Sequence, residues 1–116
     1  MAPAAEDLRL FHIVSEEDWQ QCCQQDSYAP DSLDKEGFIH LSLSSQVAAT
    51  YRRFYAGRSS LLLVEIRAER LEVELRYEEA DYQMFPHLYG PLNLSALEAV
   101  HPLIVDALGN VRLPTQ

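Results

Sequence analysis

Basic residues, cysteines and glycines are all scarce in this chain, and each shortage closes off a class of function. Nine Lys and Arg stand against 18 Asp and Glu in 116 residues, a formal charge of −9, with a pI near 4.7. A dedicated nucleic-acid binder draws most of its affinity from neutralised phosphates, so this balance argues against one. The single dense basic spot, Arg52–Arg53 with Arg58, is large enough to hold one phosphate. The two cysteines, Cys22 and Cys23, are adjacent, and neighbours pair only in a strained ring. With no CxxC and no Cys/His zinc spacing, they read as ordinary thiols on a helix in a reducing compartment, and a cytoplasmic location is expected. No apolar run approaches the roughly 20 residues of a membrane helix. Met1–Asp7 lacks the basic-then-apolar layout of a secretion signal and reads as a frayed start over 1–7. The four glycines form no GxGxxG turn and no GxxxxGK[ST] loop, and no GxSxG elbow occurs. Rossmann, P-loop and serine-hydrolase sites are therefore not expected.

What is present is a 47% hydrophobic chain of a length that suits one domain, 1–116, with a core needing no staple. Leu8–Val14 alternates as a strand, with Leu10, His12 and Val14 on one face and Phe11 and Ile13 on the other. Ser15 caps a helix running to about Gln25, with Glu16, Glu17 and Asp18 in its first turn and Trp19, Cys22 and Cys23 facing inward. Ser27–Gly37 reads as a polar loop. In the strand Phe38–Leu43, Phe38, His40 and Ser42 share a face. Ser44 or Ser45 caps a second helix, about Gln46–Tyr55, ended by Gly57, with Val47, Tyr51, Phe54 and Tyr55 at core spacing. Leu61–Ile66 suits a central buried strand. Leu71, Val73, Leu75 and Tyr77 then alternate with charged residues, the mark of a half-buried strand. Met84–Leu92, with two prolines and a glycine around His87 and Tyr89, reads as an ordered irregular loop. A strand from Ala99 and a Gly109-Asn110 turn leading into Val111–Leu113 close the chain as a hairpin. The class is α+β, a small single domain of mixed or antiparallel sheets with two early helices.

Polar side chains on apolar strands need partners or ligands. His12 and His40 lie mid-strand, and His87 is framed by Pro86 and a Tyr-Gly-Pro turn. Three such settings in one small domain point to a common site. His101, beside Pro102, reads as structural or surface. Ser42 shares a face with His40, but their Cα atoms stand roughly 6.5–7 Å apart along a strand, so both can line a pocket without forming a Ser–His pair. Glu78 and Glu79 end the alternating strand, where a carboxylate can act as a base or polarise a hydroxyl.

The order FHIV, W, YAPxSL, EGFIHLS, RFYxG, LLLVEI, LRYE and FPHLYGPL closely resembles the small bacterial family called domain of unknown function 952, from about Leu10 to Gly109. That family in turn looks like a compact relative of the ADP-ribosyltransferase fold. Gly37–Ser42, the following helix and Leu61–Ile66 are similar in order to the NAD-binding half of the RNA 2′-phosphotransferases, which carry a comparable His-Leu-Ser segment. The resemblance implies NAD as cofactor or substrate and an ADP-ribosyltransferase-like or other NAD-using transferase. His40, His87 and Glu78 would be the catalytic set, with His87 or Glu78 at the transferring end. His12, Ser42, Tyr51, Tyr55 and Tyr89 would bind the ligand, with Tyr51 or Tyr55 stacked on nicotinamide. The chain departs from the phosphotransferases in carrying Glu36-Gly37 where they place an arginine, and in lacking their RNA-binding domain, so RNA repair is not implied. The partner expected is a small molecule, with neither nucleic acid nor membrane. One alternative is a non-catalytic module for a nucleotide-like ligand. Another is a metal-dependent hydrolase built on His12, His40 and His87, although no metal is expected under the main reading.

Overall fold

A strand that is apolar on both sides has to be covered on both, and β1 (Arg9–Ser15) is buried from Arg9 to Val14 in the structure, a computed structural model describing residues 8–114. The expected fraying of 1–7 lies outside the described residues. After β1 come α1 (Glu16–Cys22), β2 (Cys23–Gln24), β3 (Ser27–Tyr28), α2 (Asp31–Glu36), β4 (Ile39–His40), β5 (Ser42–Leu43) and α3 (Val47–Phe54). The second half is strand-rich: β6 (Leu61–Arg67), β7 (Glu74–Ala80), β8 (Gln83–Tyr89), β9 (Leu92–Asn93), β10 (Leu97–Pro102), β11 (Ile104–Val105) and β12 (Val111–Arg112). One sheet has the order β10-β6-β1-β5 and a second β4-β8-β7, with smaller β2-β3-β9 and β11-β12 sheets. The pairings are antiparallel. The α+β class holds, with three α-helices among the described residues rather than two.

The two faces of β1 feed two apolar clusters. Leu10 and Val14 pack with Ile39, Leu88 and Leu92 between the main sheets. Phe11 and Ile13 pack with Val47 and Tyr51 of α3 on the other side. Each such side chain contributes about 1.5–3 kcal/mol on full burial.

Ser15 caps α1 as its sequence signals: its Oγ accepts the Asp18 N–H at 3.0 Å. The helix stops at Cys22, however, three residues before the expected end. Cys23 and Gln24 instead pair with Tyr28 and Ser27 around a turn in which Gln25 has φ 54°. The loop over Ser27–Gly37 contains α2, closed by Gly37 at φ 91° donating to the Ser32 and Leu33 carbonyls. Leu33 packs on the core and gives this short helix its reason to form. Neither Ser44 nor Ser45 caps α3 by its side chain. Those residues form a 3₁₀ turn in which Gln46 Oε1 accepts the Leu43 N–H at 3.0 Å and Gln46 Nε2 donates to the Met84 carbonyl at 2.9 Å. Phe54, expected in the core, faces solvent.

The Leu71–Tyr77 alternation places Leu71, Val73 and Leu75 against the core, but the strand itself starts at Glu74 and Tyr77 is exposed. The larger correction concerns Met84–Leu92. Most of it is β8, the central strand of its sheet, pairing with β7 on one edge and β4 on the other. Proline is tolerated there because Pro86 turns its backbone away from β7 and its carbonyl accepts the Leu41 N–H at 3.0 Å. The reciprocal bond to Leu41 would need an N–H that proline lacks, so the β4–β8 ladder ends after the His40–His87 pair.

Candidate functional site

The register that pairs β4 with β8 sets His40 opposite His87. Their imidazoles meet edge to face, centroids 5.4 Å apart. Phe38, one residue before β4, stacks on His87 at 4.0 Å and meets His40 at 4.8 Å. Each imidazole is held by a carboxylate through one nitrogen. His40 Nε2 lies 2.8 Å from Glu36 Oε2, brought near by the left-handed turn at Gly37. His87 Nδ1 donates to Glu78 Oε1 at 2.8 Å, and the same oxygen accepts from the Tyr89 hydroxyl. The bonds from Tyr89 and His87 hold the Glu78 carboxyl below the ordinary carboxylate range, so it is ionised and acts as acceptor. This leaves His40 Nδ1 and His87 Nε2 without partners among the described residues.

His12 plays a different part. A carbonyl can only accept, so His12 Nδ1 carries the proton donated to the His40 carbonyl at 2.8 Å, and Nε2 accepts from the Tyr28 hydroxyl at 2.7 Å. Burial, aided by the field of His40, outweighs the bond to the His40 backbone and lowers its pKa to about 4. Burial likewise pushes the Tyr28 phenol up, keeping it a donor. Both nitrogens of His12 are thus occupied by the protein, and the residue braces β1 against β3 and β4 rather than presenting an atom to a ligand.

His12, His40 and His87 all line one cleft of about 990 Å³, at the upper end of the usual range for small-molecule and cofactor sites. Phe38, Leu41 and Phe85 give it apolar surface, and one face of α3 (Ala49, Thr50, Arg53, Phe54) forms a wall. Of the residues singled out in the sequence, Ser42 also lines the cleft, its Oγ 3.4 Å from Thr50 Oγ1. Tyr55 lines it too, its hydroxyl donating to the Ile13 carbonyl at 3.3 Å. Tyr51 does not: it is buried in the cluster that α3 makes with Phe11 and Ile13 and offers no face for nicotinamide. Glu78 and Tyr89 stand behind His87 rather than along the cleft. His101 is structural, its Nε2 2.9 Å from the buried Glu65, which also accepts from Arg9 at 2.9 Å.

Glu36 and Tyr28 are site residues that the sequence alone did not single out, whereas Arg53 and Arg58, which line the cleft, stood out only as part of the basic spot. Phe38 was legible as a neighbour of His40 on one strand face, but its role as the platform for His87 depends on β8 being a strand. Among the described residues no group of three or more His, Cys, Asp or Glu is arranged to hold a metal. The occupied nitrogens of His12 explain why the three histidines make no such set.

A sequence profile described as "Protein of unknown function (DUF952)" matches residues 13–100. The chain belongs to that family. No curated protein matches the chain in sequence. Among solved structures it is similar to the crystal structure of Protein CC0527 from Caulobacter crescentus, with 31% identity, 90% of this chain and 93% of that one covered, and a TM-score of 0.76. A crystal structure of a double mutant of that protein gives 30% identity over 90% and 93% of the chains at a TM-score of 0.76. Its solution NMR structure gives 30% over 89% and 90% at 0.73. The chain thus shares its fold with that protein, and among its described residues no helix is long and apolar enough to cross a membrane.

Proposed function

We propose that the cleft binds NAD or a related ADP-ribosyl compound and that the protein works at the ribosyl carbon as an NAD-using transferase. Support comes chiefly from the His40–His87 pair, two imidazoles 5.4 Å apart, each oriented by a carboxylate and each keeping one nitrogen available. Cleaving a nicotinamide–ribose bond builds positive charge on the ribose, so catalysis needs fixed hydroxyls, an aromatic face and nearby negative charge. His40 Nδ1 suits a ribose hydroxyl, Phe38 supplies the aromatic face, and Glu78 lends charge through His87. The C1′–nitrogen bond breaks and nicotinamide leaves with its electron pair. Water or an acceptor hydroxyl bonds to C1′ and gives its proton to His87 Nε2.

Release of nicotinamide from labelled NAD tests this, comparing the parent with His40→Ala and His87→Ala. Each substitution is expected to slow release by about 10²-fold or more. Equal background release from all three would discard the reading. The placement of Glu78 behind His87, out of the cleft, favours a second reading, a non-catalytic module for a nucleotide-like ligand. Calorimetry with NAD, ADP-ribose and 2′-phosphorylated nucleotides separates the two, since binding without turnover belongs to the second.

A further inference from the structure

The one dense basic spot in the sequence is divided by the fold. Arg52 stays outside the cleft, whereas Arg53 and Arg58 line it and are the only Lys or Arg that do so among the described residues. Arg58 is set by a tight turn after α3, in which its N–H donates to the Tyr55 carbonyl at 2.9 Å and Gly57 takes φ 83°. Its guanidinium lies over the Tyr55 ring at 5.3 Å and has no hydrogen bond or ion pair with any described residue. Arg53, in contrast, is ion-paired with Asp81 at the tip of the β7–β8 hairpin. That turn holds Asp81 at φ 50° and Tyr82 at φ 65°, the two left-handed positions that hairpins usually give to Asn and Gly. A carboxylate is therefore presented to a cleft-lining guanidinium from a turn conformation that is costly for Tyr82. Thr50, one turn before Arg53 and on the same wall, adds a hydroxyl. Asp18, Asp31, Glu36 and Glu79 also line the cleft, so a bound anion would need these guanidiniums against the negative charge around them.

We propose that Arg58 and Arg53 form an anion subsite at the α3 end of the cleft, which takes the phosphate or diphosphate of a nucleotide, and that Asp81 competes with that anion for Arg53. Arginine forks suit phosphate oxygens bidentately. The proposal rests on reading the cleft as a nucleotide site and adds which end of the nucleotide goes where: phosphates at α3, ribosyl carbon towards His40 and His87.

Calorimetry with ADP and with inorganic pyrophosphate tests it on the full chain. Arg58→Gln is expected to weaken both probes by about 10-fold or more, and Asp81→Asn to strengthen them by about 3-fold. Arg52→Gln, which removes the same charge outside the cleft, should change neither by more than about 2-fold. Failure of both probes to bind the parent, or equal effects of Arg58→Gln and Arg52→Gln, overturns the subsite. Unchanged affinity in Asp81→Asn overturns the competition. Nicotinamide riboside carries no phosphate, so its binding and the release of nicotinamide test the ribosyl reading separately. Pyrophosphate binding that depends on Arg58 supports the subsite even where nicotinamide is not released.

Discussion

The Tyr28 hydroxyl stands 2.7 Å from His12 Nε2 and donates to it, because the one proton of the imidazole is already given to the His40 carbonyl. Three separate strands are joined through a ring that carries no charge. Replacing Tyr28 with Phe leaves a buried acceptor without its donor, and a loss of about 1–3 kcal/mol is expected. Urea denaturation measures it, and a change below about 0.5 kcal/mol would contradict the assignment.

Acid should act through the same ring. His12 titrates near 4 when folded and near 6.5 when free, so the unfolded chain takes up its proton first as pH falls. Its contribution is complete above about 6.5, is lost as the pH drops towards about 4, and changes no further below that. The loss is on the order of 3 kcal/mol. His12→Gln removes the titrating group, so the difference in pH slope between the two proteins across this window reports it directly. Equal slopes would rule out a neutral buried His12.

Glu65 is 5% exposed and Arg9 8%. Burial pushes the Glu65 carboxyl up, but bonds and charge from Arg9 and His101 outweigh it and hold the group below the ordinary carboxylate value. Removing one partner strands the other's charge. Glu65→Leu is expected to cost about 3–5 kcal/mol, and the Arg9→Met/Glu65→Leu double variant to regain much of it. A double variant no more stable than the single would show that the ion pair is not the cause.

Gly90 has φ 152°, and a Cβ there would come 3.0–3.1 Å from three atoms of Val73. Gly90→Ala should therefore destabilise by about 1–3 kcal/mol. Val73→Ala in the same chain removes the two Cγ atoms but keeps Cβ, so it should relieve part of the clash and leave the backbone cost. Thermal unfolding of the two variants and their combination checks this, and strictly additive losses would remove the steric explanation.

The sequence made some of this legible for identifiable reasons. β1 and β6 are long apolar runs, and the alternation Leu10/His12/Val14 against Phe11/Ile13 maps onto the two clusters found on the two faces of β1. Ser15 carried its cap in its local pattern. β8 was hidden because Pro86 and Gly90 read as breakers; only its partners reveal that Pro86 turns its imino side away from β7. α2 is six residues without a helical stripe, anchored by Leu33 alone, so nothing periodic announced it. At the site, His12, His40 and Ser42 stood out as polar residues on apolar strands. Their roles did not, since Tyr28 reaches His12 from sixteen residues away and Glu36 reaches His40 across a glycine turn. Tyr51 followed the helical stripe faithfully, and that stripe belongs to the opposite face of the sheet.

β4 and β5 are separated by Leu41 alone, yet one joins the sheet of β8 and the other the sheet of β1. A single residue thus joins the two sheets, and it is fastened to Pro86 by its own N–H. Any displacement of one sheet against the other must therefore be absorbed at Leu41, because His40 goes with one sheet and Ser42 with the other.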